Sequence, residues 1–436
     1  MNKRILGLAL PNIVTNITVP LLGMIDLAIV GHIGNQTHIG AIAIGVTIFN
    51  FIYWNFGFLR MGTSGFTAQA YGSRNFAEAM KALTRALSLA LSIALILIVL
   101  QLPIAHFSFW VIDGSPQMKQ LAYNYFRIRI WAAPATLCLY GIKGWFIGMQ
   151  NARIPMYISL FMNVLNIFLS FLFVLVFHMD IEGVAWGTVL AQYGGLLTAA
   201  IYWLVYYRRF LRYFNLKQSL HWAEMLRFFQ VNGDIFLRSL CLVSVFTFFP
   251  IAGAKMSDEI LAINTLLLQF FMLFSYIIDG FAYAGESLTG RYIGANNNHR
   301  LKQSIRLLFR WGLALSLIFT IIYAWVGEKL LWFFTNDPAI ISAAHPFYGW
   351  VLLVPLLGFA AFLWDGIFIG ATASKPMRNT MFIATALFFL LYYAFFPLLK
   401  NNALWLALLA FLFARSLVQT VYAKRVIFGI KKERCK

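Results

Sequence analysis

The chain has 436 residues, 61% of them hydrophobic and 11% charged, with a formal net charge of +19. A soluble globular protein carries roughly 25% charged residues, so the composition excludes a soluble domain and points to an integral membrane protein. The positive charge is therefore tested against membrane topology before any nucleic-acid partner is considered.

A membrane-spanning helix needs about 20 predominantly apolar residues. The N-terminus, MNKRILGLALPNIV, has two basic residues and then an apolar run. That run continues past Ala28 without a convincing small-residue cleavage site, so it reads as a first span rather than a signal peptide. In chain order the candidates lie near 6–32, 38–60, 82–104, 122–149, 155–178 and 183–206. A polar, basic stretch follows, and six more lie near 231–254, 260–283, 304–326, 345–371, 379–399 and 403–424. The expected fold is all-α, with twelve transmembrane helices in two pseudo-symmetric six-helix lobes. Residues 1–207 form the N-terminal lobe, 208–228 a cytoplasmic basic linker and 229–436 the C-terminal lobe.

Of the 34 lysines and arginines, only Lys119, Lys255, Lys329 and Lys400 fall in connections on one side. Arg60, Arg127, Arg129, Lys143, Arg238 and Arg415 lie in or near spans, and the rest collect on the other side. The positive-inside rule puts that basic side, with both termini, in the cytoplasm. This accounts for the net charge without nucleic acid.

Span 1 holds Pro11, Pro20 and Asp26. Each proline removes an i→i−4 hydrogen bond, and such breaks mark kinks in membrane helices. Asp26 is the only carboxylate within a span of the first half, seven residues before Ile33. It therefore lies about 10 Å from the outer end of a regular helix. Two readings stay open: it pairs with Arg60, Arg127, Arg129 or Lys143, or it titrates during transport.

In span 5, Asn163, Asn166 and Ser170 share one helical face. That face either bonds a neighbouring helix or meets substrate, and Thr188 and Gln192 of span 6 carry the same ambiguity. The second half is richer in acids at depth, with Asp234, Asp279, Glu286 and Asp365 beside Arg238 and Arg415. Asp234 and Arg238 are spaced i,i+4 and form a structural ion-pair candidate. Asp365 is deeper and flanked by apolar residues, so it carries more functional weight.

The halves repeat. GWFIGMQNARIPM from Gly144 corresponds to GIFIGATASKPM from Gly366, at an offset of 222 for Gly148 and Gly370. IGAIAI from Ile39 corresponds to ILAINT from Ile260, and the loop GTSGFTAQAYG from Gly62 to GESLTGRYIG from Gly285. Six spans per half give both halves the same orientation, a plan that recurs in secondary transporters. No filter-like segment argues for a channel. The three cysteines are far apart, and HExxH, P-loop and G-x-S-x-G patterns are absent. The sequence therefore implies no metal, no cofactor and no enzyme.

Five segments, MIDLAIVGHIG, FGFLRMGTSGFTAQAYG, NGDIFLRSL, IIDGFAYAGESLTGRYIGA and WDGIFIGATASKPMRN, together span residues 24–379. In that order they resemble the DinF-like branch of the multidrug and toxic compound extrusion (MATE) family. The resemblance implies two six-helix lobes about a cleft. It also implies export of organic, often cationic, compounds driven by inward H⁺ or Na⁺. Asp26 matches the family's cation-coupling aspartate, Asn163 and Asn166 match its asparagine-bearing fifth helix, and Asp365 matches a tenth-helix carboxylate implicated in coupling in the NorM branch. Arg60, Gln69, Gln192, Asp279 and Glu286 are cleft or substrate candidates. Many relatives place a second aspartate where this chain has Ser170. A single carboxylate suits one-proton chemistry, so H⁺ is favoured over Na⁺ as the coupling ion.

The alternative reading is a flippase for lipid-linked saccharides or other anionic lipids, since the first half carries four cations at depth. The expected partners are a small-molecule substrate and membrane lipid, not nucleic acid. The expected state is a monomer in a bacterial cytoplasmic membrane.

Overall fold

The computed structural model describes residues 1–31, 36–112, 114–335 and 337–429, without the side chains of 19–31, 36, 328 and 333. The side chains of Pro20 and Asp26 thus lie outside the described residues. Helices dominate, and no strand occurs among the described residues. In lipid every backbone polar group must be satisfied within its own segment, which leaves an apolar run of this length no open alternative to a helix.

The first helix, α1, is Asn2–Gly31 and stays helical through Pro11 and Pro20. Eleven further segments are long and apolar enough to cross a membrane: α2 Thr37–Gly72, α3 Phe76–Val99, α4 Pro116–Gly148, α5 Arg153–Val176, α6 Asp180–Tyr213, α7 Trp222–Met256, α8 Asp258–Gly294, α9 Asn298–Gly327, α10 Pro338–Gly370, α11 Ser374–Leu399 and α12 Asn401–Val426. The chain is an all-α integral membrane protein.

The repeat read in the sequence is built into the backbone. Non-glycine residues with positive φ pair at the same offset: Arg74 with Asn296, Gln150 with Thr372, and His178 with Lys400. The first two pairs close their helices alike. The amides of Asn75 and Asn297 bond the carbonyls of Ala70 and Tyr292, and those of Asn151 and Ala373 bond Phe146 and Phe368. These are the six-to-one bonds of a left-handed C-cap. Asn75 and Asn297 then cap the next helix by accepting from Glu78 and Arg300.

The segments Gly62–Gly72 and Gly285–Gly294, expected to be loops, are instead helical ends of α2 and α8. Their small residues let another helix approach. A methyl on Gly144 would overlap the Arg60 carbonyl, and one on Gly366 would overlap that of Ala282. Gly148 and Gly370 repeat the approach one turn on, against Ser64 and Glu286. Close small-residue seams of this kind hold membrane helices together by dispersion where no hydrophobic drive exists between them.

Two compact units result, one of Val14–Phe229 and one of Met1–Ile13 with Gln230–Lys436. In the first, α2 packs on α4 and α5 lies along α6; in the second, α8 packs on α10 and α11 lies along α12. The opening turns of α1 belong to the second unit, where Gly280 meets the Ala9 carbonyl and Ile13. Α6 ends in a 3-10 turn, Arg208–Tyr213, and the connection that runs from this turn to α7 holds a short helix, Leu216–Ser219. It is fastened to α3 by buried Arg85, which donates to the Ser219 carbonyl (2.9 Å), Glu78 (2.8 Å) and Glu224. Α7 starts at Trp222, within the stretch read as linker.

Candidate functional site

In the first unit the polar face of α5 turns inward. Asn163, Asn166 and Ser170 are 7%, 1% and 0% exposed, so the spacing argument holds and the face is buried. Asn163 Nδ2 donates to the Thr18 carbonyl of α1 at 3.4 Å, and Asn166 Nδ2 to Thr188 Oγ1 of α6 at 3.1 Å. Thr188 spends its own proton on the Val184 carbonyl. Gly187 admits the Ser170 backbone against α6; a methyl there would sit 2.7 Å from Ser170 Oγ. Ser170 is followed by a π-helical turn, Leu172–Val176.

Two oxygens on this face, Asn166 Oδ1 and Ser170 Oγ, are buried with no hydrogen-bond partner among the described residues. Each costs about 1–3 kcal/mol when left so; Asn166 Oδ1 only accepts and so invites a donor or a cation, while the Ser170 hydroxyl can donate or accept. Three spans, α2, α3 and α4, lie between α1 and α5, so the two run in the same direction. Asp26 lies eight residues past Thr18, about 12 Å along α1, and Ser170 lies seven past Asn163, about 10 Å along α5. The backbone register thus brings Asp26 level with Ser170.

Other candidates of this unit are more dispersed. Arg60 and Gln69 are half-buried on α2, and Gln192 is half-buried on α6, one turn beyond Thr188. Lys143 of α4 donates to Ser159 Oγ of α5 at 2.9 Å. By the repeat offset Lys143 holds the place that Asp365 holds in the second unit. The two halves share a seam but carry opposite charge beside it.

In the second unit that place belongs to a buried ion network. Asp365 of α10 accepts from Arg238 of α7, from Arg415 Nη2 (2.6 Å) and from Gln419 Nε2 (2.6 Å), both on α12. All four side chains are buried. Asp279 of α8 also acts electrostatically on Arg415, so two carboxylates and two guanidiniums balance. Arg415 further lies over the rings of Phe411 and Phe362. Asp234 accepts from Ser374 Oγ (2.7 Å) and Arg378 Nη1 (2.6 Å) of α11. Asp234 and Arg238, proposed as an i,i+4 pair along one helix, therefore each reach a partner on another helix. Glu286 is fully buried in α8 at the seam with α10.

Sequence reasoning left out Gln419, Arg378, Ser374 and Thr18. The Arg415–Gln419 spacing of four residues was a readable sign that α12 presents one polar face. Thr18 acts through its carbonyl and carries no such signal.

A family model, MatE, matches residues 11–172 and 235–394, one stretch in each half. DNA damage-inducible protein F of Escherichia coli (strain K12) is 36% identical over 420 residues, covering 95% of this chain and 90% of that protein. A probable multidrug resistance protein NorM of Thermotoga maritima is 25% identical over 403 residues, covering 87% of this chain and 80% of that protein. Among solved structures, a crystal structure of MATE in the bent conformation superposes with a TM-score of 0.89 at 20% identity, covering 100% of this chain and 97% of that one. An outward-facing multidrug resistance MATE family transporter gives 0.87 at 20% identity, covering 99% and 96%. With both halves matched by the family model, and a relative this similar over nearly its full length, the chain belongs to the MatE family.

Proposed function

We propose that the chain is a secondary active exporter of small organic, cationic or amphipathic compounds, driven by inward H⁺ and working by alternating access. Membership of a family whose relatives include multidrug resistance proteins supports export. The observation that carries the coupling is the buried α5 face, where the acceptor-only Asn166 Oδ1 is unmet among the described residues one turn from the level of Asp26. A protonated carboxyl brings a hydrogen-bond donor to that level, whereas an ionised carboxylate only accepts. Proton arrival and the unmet Asn166 carbonyl oxygen therefore favour one another. A compact Na⁺ site would draw on a second carboxylate, and the place for it is Ser170.

In this scheme Asp26 carries the proton and Asn163, Asn166 and Thr188 shape the pocket around it. Asp365 is tied by Arg238, Arg415 and Gln419, which suits bracing of α7, α10 and α12 better than cation capture. The setting is a bacterial cytoplasmic membrane with both termini cytoplasmic, and the working unit is a monomer. The test is export of a fluorescent organic cation, read as uptake into everted vesicles, with pH and Na⁺ gradients imposed separately. The proposal expects efflux to follow the pH gradient at zero Na⁺ gradient. Efflux that follows Na⁺ and ignores pH would overturn it.

A further inference from the structure

A groove lies along α9, away from the polar faces described above. Lys302, Arg306 and Arg310 are spaced four residues apart and all exposed. They form a cationic stripe about 12 Å long on one helical face. Three residues past each comes an apolar partner, Ile305, Phe309 and Leu313, so a second stripe runs beside the first. These six residues form one wall of a cavity of about 710 Å³. Phe359 and Trp364 of α10, Thr420 of α12 and Phe428 close it. The aromatic floor is packed rather than loose. Phe309 and Trp364 centroids are 4.9 Å apart, and Trp364 Nε1 donates to Thr420 Oγ1 at 2.8 Å.

Among the described residues no carboxylate forms a salt bridge with Lys302, Arg306 or Arg310; Asp234 and Asp365 pair elsewhere. The stripe begins four residues into a candidate membrane span, Asn298–Gly327, at the end that the charge distribution puts in the cytoplasm. A ligand for this groove must therefore be anionic at the membrane surface and apolar below it.

We propose that the groove binds an anionic phospholipid of the cytoplasmic leaflet. Its phosphodiester lies against Lys302, Arg306 and Arg310, and an acyl chain lies along Phe309, Leu313 and Trp364. Basic pockets between helices on the cytoplasmic side bind acidic head groups, and the volume lies within the range of small-ligand sites. The cavity wall backs onto the ion network, since Trp364 precedes Asp365 and Thr420 follows Gln419. An occupied groove thus braces α9, α10 and α12 together. The inference does not depend on what the protein exports.

The test uses the purified full chain in neutral detergent, titrated with phosphatidylglycerol, phosphatidylcholine or inorganic phosphate. Lipid retention is read by native mass spectrometry, and the unfolding midpoint is read by heating. Wild type is expected to retain and be stabilised by phosphatidylglycerol, not by phosphatidylcholine or phosphate. The variant K302Q/R306Q/R310Q is expected to bind phosphatidylglycerol on the order of 100-fold more weakly, from about 1 kcal/mol per cation. R208Q/R209Q/R212Q, which removes three positive charges from the turn that ends α6, is expected to bind as wild type does. Equal weakening in both variants would reduce the effect to overall charge and overturn the site. Equal protection by inorganic phosphate would overturn the lipid assignment. A single R306Q variant repeats the test should the triple variant fail to fold.

Discussion

Replacing Asp365 by asparagine keeps the shape of the side chain and removes its charge. Arg238 and Arg415 would then remain buried with no charge at their shared partner. Breaking a buried ion pair by deleting one member costs about 3–5 kcal/mol, because the other is left uncompensated. The reverse deletion, Arg415→Gln, is milder in electrostatic terms: Asp365 keeps Arg238 and Gln419. The account therefore ranks Asp365→Asn as the more destabilising. For a chain of this size the loss appears as a fall of several degrees in the unfolding midpoint, measured in detergent by intrinsic fluorescence. The double variant Asp365→Leu with Arg415→Met should recover part of that loss, since apolar replacement of a buried pair is often neutral. An Asp365→Asn protein that melts with wild type but no longer exports would refute the reasoning, and would return Asp365 to cation coupling.

Other outcomes follow from the same structure. Gly144→Ala and Gly366→Ala should each sharply reduce folded yield, because the added methyl meets a backbone carbonyl that cannot move aside as a side chain can. Gly233→Ala and Gly349→Ala, with nothing within 4 Å of the new methyl, should express normally by size-exclusion profile. Ser170→Asp supplies a second carboxylate at the level of Asp26, and should make uptake into everted vesicles respond to a Na⁺ gradient; no gain of Na⁺ response would count against the placement of Ser170. Arg85→Gln removes the contacts of a side chain that is 2% exposed in the native chain. It should speed tryptic cleavage at Arg208, Arg209 or Arg212, and an unchanged cleavage rate would show that Arg85 does not hold that connection.

Much of the fold was legible because lipid leaves so few structures available. The spans, their alternation with basic connections and the 222-residue repeat all come from hydropathy and spacing. The repeat then reappears as paired positive-φ caps and paired glycine seams. The helical ends Gly62–Gly72 and Gly285–Gly294 were misread because glycine-, serine- and threonine-rich runs signal loops in water. In a membrane the same residues permit close helix packing. The α5 face was legible from i, i+3 and i+7 spacing. The partners of Asp234 and Arg238 were not, because Asp365 and Arg378 lie more than 100 residues away in sequence. The receptive oxygens of Asn166 and Ser170 were visible only once α6 was in place against them.

The central claim is that Asp26 carries the coupling proton. Its most direct measurement compares wild type with Asp26→Asn in everted vesicles under an imposed pH gradient, following both substrate uptake into the vesicles, which reports export, and proton release. The account predicts that the asparagine variant reaches the membrane at wild-type levels yet moves neither substrate nor protons against its control. Undiminished, pH-driven efflux by that variant would contradict the account and place Asp26 among the structural residues.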